Sequence, residues 1–305
     1  MSHPIEAGAA AGASSWLKTL SLWFHHGNAL RDGATPGGEK RVDWLRVMPF
    51  VGTHVACLGV FVVGWHTGAV VAGAVLYAVR MFAITGFYHR YFSHRTFRAS
   101  RVAQLVFAVL GASATQRGPL WWAAHHRKHH RHSDTERDVH SPRQHGFWWS
   151  HMGWITSARN FPTDLREVRD LARFPELRWL DRYDVAVPVA LAVTLFAFGG
   201  WAWLVWAYLV STVLLFHCTC LVNSLAHRFG SRRYETGDDS RNSLTLALVT
   251  LGEGWHNNHH RYPGATRQGF LWWEIDVTYY GLLVLSWPGI IRDLRPVPPR
   301  LLESA

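Results

Sequence analysis

Three short histidine clusters stand out in this 305-residue chain: His89-Arg-Tyr-Phe-Ser-His94, His126-Arg-Lys-His129-His130 and His256-Asn-Asn-His259-His260. They use eight of its twenty histidines. Positions i, i+3 and i+4 share one face of a helix, so His126, His129 and His130 are expected to present neutral imidazoles in one direction, as are His256, His259 and His260. His89 and His94 differ, because five residues turn about 140° around an ideal helix, so the helix must end or distort between them if both rings bind metal. Imidazole suits iron, zinc, copper or nickel, and residue type alone does not choose among them. Number is more telling. Eight histidines exceed the three or four ligands of one tetrahedral zinc, but they can hold two metals and leave positions open for a small molecule. The four-helix pattern of soluble di-iron bundles, two Glu and two Glu-x-x-His pairs, is absent.

The rest of the sequence says what must position these groups. Lys and Arg total 31 against 21 Asp and Glu, a net charge of +10, yet residues 47–79 and 185–227 contain no charged side chain at all. That distribution excludes a disordered chain and argues against a soluble nucleic-acid module, and no nucleic-acid partner is expected. About 20 residues cross a bilayer as a helix, so the two apolar blocks predict four spans, near 47–65, 69–89, 185–198 and 201–223, arranged as two hairpins. Arg80 falls inside the second span and must snorkel or find a partner in the bundle. The second block divides at Gly199-Gly200.

Lys40, Arg41 and Arg46 precede the first span and Arg90, Arg95, Arg98 and Arg101 follow the second, while the hairpin tips carry no Lys or Arg. The positive-inside rule therefore places both termini and all three histidine clusters on the cytoplasmic face of the cell's inner or plasma membrane. Runs 102–116 and 277–291 are short for a crossing and are expected to lie along the interface. Residues 1–45 read as a cytoplasmic or interfacial segment with a short amphipathic stretch at 16–24 and no convincing signal peptide, 46–292 as the membrane domain, and 293–305 as a tail. Cys57, Cys218 and Cys220 fit neither a disulfide framework nor a zinc ribbon and read as packing residues. The expected fold is an all-α integral membrane protein of four spans with a cytoplasmic, helical, histidine-bearing cap.

The clusters, followed by Ser133-Asp134, Asp138-Val-His140, Ser150-His151-Met-Gly-Trp154, Asn223-Ser-Leu-Ala-His227 and Gly252-Glu-Gly-Trp-His256, resemble the membrane-bound fatty acyl desaturases, in particular their delta-9, stearoyl-CoA desaturase-like branch. The resemblance spans roughly residues 45–290. It implies two irons, a ninth histidine ligand at His227, and Asn223 near one metal acting through water. It further implies a cis double bond placed in a saturated long-chain acyl group, with delta-9 acyl-CoA favoured by the family and acyl-lipid left open, using dioxygen and two electrons. No haem-binding motif or Cys cluster is present to supply them, so an external ferredoxin or cytochrome-type donor with its reductase is implied. Gln116 and Thr219 match positions near the acyl-chain bend, and Arg117 is put forward with them for substrate binding. Two departures accompany them: Cys220 stands where the animal enzymes have a tryptophan, and Ala124-His125 where they have an Arg-Asp pair that contacts coenzyme A. His140 and His151 are expected to orient ligands. The remaining histidines, His54, His66 and His217 among them, are read as surface or packing residues. A lipid hydroxylase or ketolase is the rival enzyme. A metal-binding or metal-transporting membrane protein is the rival from another class, although its ligands belong near the midplane and not past the helix ends.

Overall fold

A computed structural model describes residues 23–24 and 41–303. The chain is mostly helical. Among the described residues three helical stretches are long and apolar enough to cross a membrane: α1 (Trp44–Val63), α2 (Thr67–Ser93) and, later in the chain, one run of 40 residues. After α2 come α3 (Arg101–Ala112), α4 (Pro119–His132) and α5 (Phe147–His151), then that long run, α6 (Ala186–Leu225), then α7 (His256–Arg261) and α8 (Val277–Ser286). Both short apolar runs are helices, α3 and α8. The amphipathic stretch at 16–24 lies almost wholly outside the described residues.

Glycine sets the break within α6. Gly199 leaves helical geometry and Gly200 adopts φ 62°, a left-handed conformation open chiefly to glycine, so the run bends where the sequence divides it. Arg80 does not snorkel: it is buried, and its guanidinium donates to the hydroxyls of Ser211 and Thr212 on α6. α1 is the least enclosed span, with 6% of its apolar window buried against 44% for α2. Lipid must cover most of it.

The end of α2 departs from α-helical geometry. Ala83–Ser93 winds as a π-helix, and the His94 N–H donates to the His89 carbonyl at 3.3 Å, five residues back. Wider winding carries His94 round toward His89, which is the distortion that their spacing demands. Arg95, at φ 53°, ends the element, and Arg127 of α4 donates to the carbonyls of Phe92 and Ser93 at 2.8 and 3.0 Å. A short antiparallel pairing of Arg98–Ala99 with Ile291–Arg292 then fastens the C-terminal segment beside this junction.

An apolar core lies beneath the histidine clusters, formed by Phe87, Tyr88 and Phe92 of α2 with Phe107 of α3, Leu120 of α4, Leu215 of α6 and Leu282 of α8. Phe87 stacks on Phe107 at 3.7 Å, and Tyr88 Oη donates to the Ala108 carbonyl. Tyr88 fits only because α3 has a glycine there: a Cβ on Gly111 would sit 2.0 Å from the Tyr88 ring. Gly111→Ala is therefore expected to destabilise the protein by about 1–3 kcal/mol through overpacking. Gly52→Ala, where a Cβ meets nothing within 4 Å, should not. Thermal unfolding of both variants in detergent checks this, and equal melting temperatures would contradict the packing of α3 on α2.

Candidate metal centre

Nine histidines converge above this core in two adjoining groups. His89, His94, His126, His130 and His259 form one, and His129, His227, His256 and His260 the other, with the ligand atoms of each group within 4.8 Å of one another. The spacing His-x-x-His-His therefore does not aim three rings at one point, as the helical-face reading expects. His126 and His130 of α4 turn to the first group while His129 turns to the second, and α7 divides in the opposite sense, giving His259 to the first and His256 and His260 to the second. Each box bridges both groups. His227 arrives just past the end of α6.

Carboxylates fix the rings from behind. His129 Nδ1 donates to Asp138 at 2.9 Å, His227 Nδ1 to Asp134 at 2.8 Å and His260 Nδ1 to Asp238 at 2.6 Å, and His89 Nδ1 meets Glu253. A carboxylate only accepts, so each facing Nδ1 carries the proton and the neutral ring offers a bare lone pair at Nε2. The Nε2 atoms face one another. His227 to His256 is 3.0 Å, His89 to His259 2.9 Å, His259 to His130 2.9 Å and His94 to His126 2.8 Å. Metal–imidazole bonds of about 2.1 Å set right-angle neighbours about 3.0 Å apart, so the spacing fits ligands around a cation. His260 Nε2 is buried with no hydrogen-bond partner, a further mark of a nitrogen left for a metal.

The electrostatics agree. Burial, then the neighbouring histidines, hold His94, His126, His130, His256 and His259 well below the ordinary imidazole range, so these rings stay neutral and able to ligate. Burial would raise Asp134, but the hydrogen bond from His227 brings it down to about 2. Asp138 and Asp238 are lowered against the same burial, by His129 and His260. Four anions thus back a buried cluster whose rings gain from a positive charge at the centre.

Further polar groups anchor the scaffold. Arg90 is buried and bonds Asp276 at 2.9 Å and Glu253 at 3.2 Å, joining α2 to the segments on either side of α7. Asn242 Oδ1 accepts the N–H groups of Asn257 and Asn258 at 3.0 and 3.2 Å, and Asn258 donates to Glu274 at 2.8 Å. The two asparagines between His256 and His259 are thus the bolts of α7. Gln268 reaches His89 and His259. Asp238, Gln268 and Asn242 carry no spacing signal in the sequence. Glu253 and the aspartates 134 and 138 were visible only as members of their motifs.

A cavity of about 300 Å³ runs from the site between α1, α4 and α6, with His126, His140 and Asn223 on its wall. Gln116 and Thr219 line it and bond each other at 3.0 Å, and Cys220 lines it nearby. Arg117, also on the wall, lies 2.8 Å from Asp184 and 5.1 Å from the Trp121 ring centre. His140 sits against His129, at 4.4 Å between ring centres. His151 lies apart from the ligand rings: its nitrogens face Ser224 and His217. His66 caps α2 by accepting the Ala69 N–H.

Fold and site together define a helical membrane protein whose buried histidine groups can hold metal. Residues 64–276 match the model of the fatty acid desaturase family. The chain is 36% identical to the sn-1 stearoyl-lipid 9-desaturase of Anabaena variabilis over 84% of its length and 95% of that protein. It is 36% identical to the sn-2 palmitoyl-lipid 9-desaturase of Nostoc sp. (strain 36), covering 87% and 94%, and 37% identical to acyl-CoA 5-desaturase AL21 of Anemone leveillei, covering 84% and 83%. This chain belongs to the fatty acid desaturase family, and it is an oxidoreductase that desaturates fatty acyl chains.

Replacing a ring-orienting carboxylate tests the centre directly. Asp138→Asn and Asp238→Asn should weaken metal retention about 10- to 100-fold, read as metal per chain after a chelator challenge. Retention equal to wild type would mean that these carboxylates serve folding alone.

Proposed function

We propose that this chain places a cis double bond at the delta-9 position of a saturated long-chain acyl group, using dioxygen and two electrons from an external ferredoxin- or cytochrome-type donor and its reductase. The observation that carries the reading is the collection of nine histidines into groups of five and four beside a cavity of about 300 Å³, in a chain of this family. In this reading two irons are bound, one by His89, His94, His126, His130 and His259, the other by His129, His227, His256 and His260, with Asn223 completing the smaller group through a water. The iron pair supplies the oxidising power needed to remove two hydrogens from an unactivated methylene pair.

The protein's own work is positioning. Asp134, Asp138, Asp238 and Glu253 keep the Nδ1 protons in place and the Nε2 lone pairs inward. The cavity excludes water and sets which methylenes lie beside His126 and His140. The Gln116–Thr219 hydrogen bond closes the wall across the chain's path, and Cys220 leaves more room there than a tryptophan. Arg117 is matched by Asp184. His125, held neutral at about 4 by burial, stands beside Ala124 where a charged pair would grip coenzyme A, which favours a glycerolipid carrier over acyl-CoA. The Gly199-Gly200 break supports reading α6 as two crossings, so that four spans form two hairpins. The basic residues flanking them support an inner or plasma membrane location with the histidines and both termini on the cytoplasmic face.

Expression in a host lacking its own delta-9 desaturase, fed labelled stearate, should give labelled cis-monounsaturated chains. Recovery of hydroxylated or keto chains without new alkenes would overturn the proposal in favour of oxygen insertion. In the same host His129→Ala and His259→Ala should abolish product, and His66→Ala should not.

A further inference from the structure

One helix stands between the cavity and the bilayer. α1 gives the cavity a wall of Arg46, Val47, Phe50, Thr53 and His54, spaced three or four apart along one helical face. Its other face, with Trp44, Met48, Val51, Val55 and Leu58, is exposed, so lipid lies directly behind the wall. Opposite α1 the cavity is lined by α6, at Pro188 near the start of that run and at Thr212, Phe216 and Thr219 toward its end.

This helix is anchored at its far end and lightly held along the wall. Cys57–Gly59 winds as a 3₁₀ turn between the α-helical stretches Trp44–Ala56 and Val60–Val63, and such a turn inside a helix often marks a hinge. Beyond it, Trp206 Nε1 donates to the Gly64 carbonyl at 2.9 Å and its ring packs on Trp65. Along the wall, Phe50 meets Phe216 edge to face at 5.0 Å, and His54 Nε2 lies 3.2 Å from His217 Nε2. Pro49 has no N–H to offer the Leu45 carbonyl, which accepts the Trp23 indole N–H at 3.0 Å instead. At the near end the Asp43 N–H donates to the Thr156 carbonyl at 3.0 Å, in a bridge that pairs Val42 with Ser157. Few buried contacts make a segment easy to open locally. The charged part of the cavity lies at this same end, where the guanidinium of Arg46 is 4.0 Å, and that of Arg117 6.0 Å, from the centre of the Phe161 ring. Two cations there, with Asp184 beside Arg117, suit a headgroup phosphate whose acyl chain then faces the apolar wall.

We propose that the acyl chain of a membrane glycerolipid enters the cavity sideways, from the bilayer, as Trp44–Ala56 swings away from α6 about the Cys57–Gly59 turn. The route rests on the desaturase reading, for which it names the substrate's way in, and passage of the chain is measured apart from turnover. Val42 and Ser157 are the closely spaced kind of antiparallel pair, flanked by the ladder hydrogen bond and not joined by it, at a separation that a disulfide spans. The full-length Val42→Cys/Ser157→Cys protein goes into nanodiscs containing phosphatidylglycerol with a mid-chain diazirine, with no electron donor. When reduced it should take label at Thr219 and Trp122 on the cavity wall. Oxidised, it should take at least about tenfold less label there, while label at the lipid-facing Val55 is unchanged and a thiol reductant restores the rest. Each single variant should ignore oxidation. Equal cavity labelling in the oxidised and reduced protein overturns the route, and so does a stearoyl-CoA with the same diazirine that reaches Thr219 when the lipid does not. Cysteines that never join overturn the closed seam itself. Gated labelling, with no alkene formed by the unmodified protein, leaves the route standing and overturns the desaturase reading instead.

Discussion

Imidazole lone pairs facing one another at about 3 Å in a buried space are unfavourable unless a cation lies between them, and most of this structure exists to hold them so. Nine rings come from four separate places in the chain. Each has to be turned, kept neutral and denied its own proton at Nε2. Carboxylates behind four of the rings do this with one hydrogen bond apiece, and burial keeps others from protonating. The π-helical end of α2 and the asparagine bolts of α7 follow from the same requirement, since both bring rings to places that a regular helix would miss.

Charge is divided accordingly. The apolar blocks carry no acidic group, and the excess of Lys and Arg lies in the connections. Several of the 21 acidic residues are buried around the histidines, Asp134, Asp138, Asp238 and Glu253 among them. A chain that looks basic overall is locally anionic where its chemistry lies. The same logic governs Arg80 and Arg90. The first is held by neutral hydroxyls within the bundle, the second by the carboxylates of Glu253 and Asp276 at its edge.

Much of this was legible from residue order. Uncharged windows located the apolar helices, Gly199-Gly200 located the bend, and the five-residue gap between His89 and His94 required a distorted helix. The histidine boxes named all eight of their members, and the family resemblance added His227. What spacing could not carry was direction. On α4 and α7 the i, i+3, i+4 pattern looks like one face aimed at one target, yet the rings diverge to two groups, because helices from both sides enclose the site. Nor could it reveal partners distant in sequence. Asp238 meets His260 22 residues away, and His54 meets His217 163 residues away, in both cases through folding rather than local pattern.

The central claim is that two histidine groups hold two metals side by side. Purifying the protein anaerobically from iron-replete cells and measuring iron per chain together with iron-edge X-ray absorption tests it most directly. The account predicts two irons per chain in a nitrogen-rich shell, with His129→Ala, from the group of four, and His259→Ala, from the group of five, each lowering the count. One metal per chain, or a shell dominated by oxygen ligands, would contradict it.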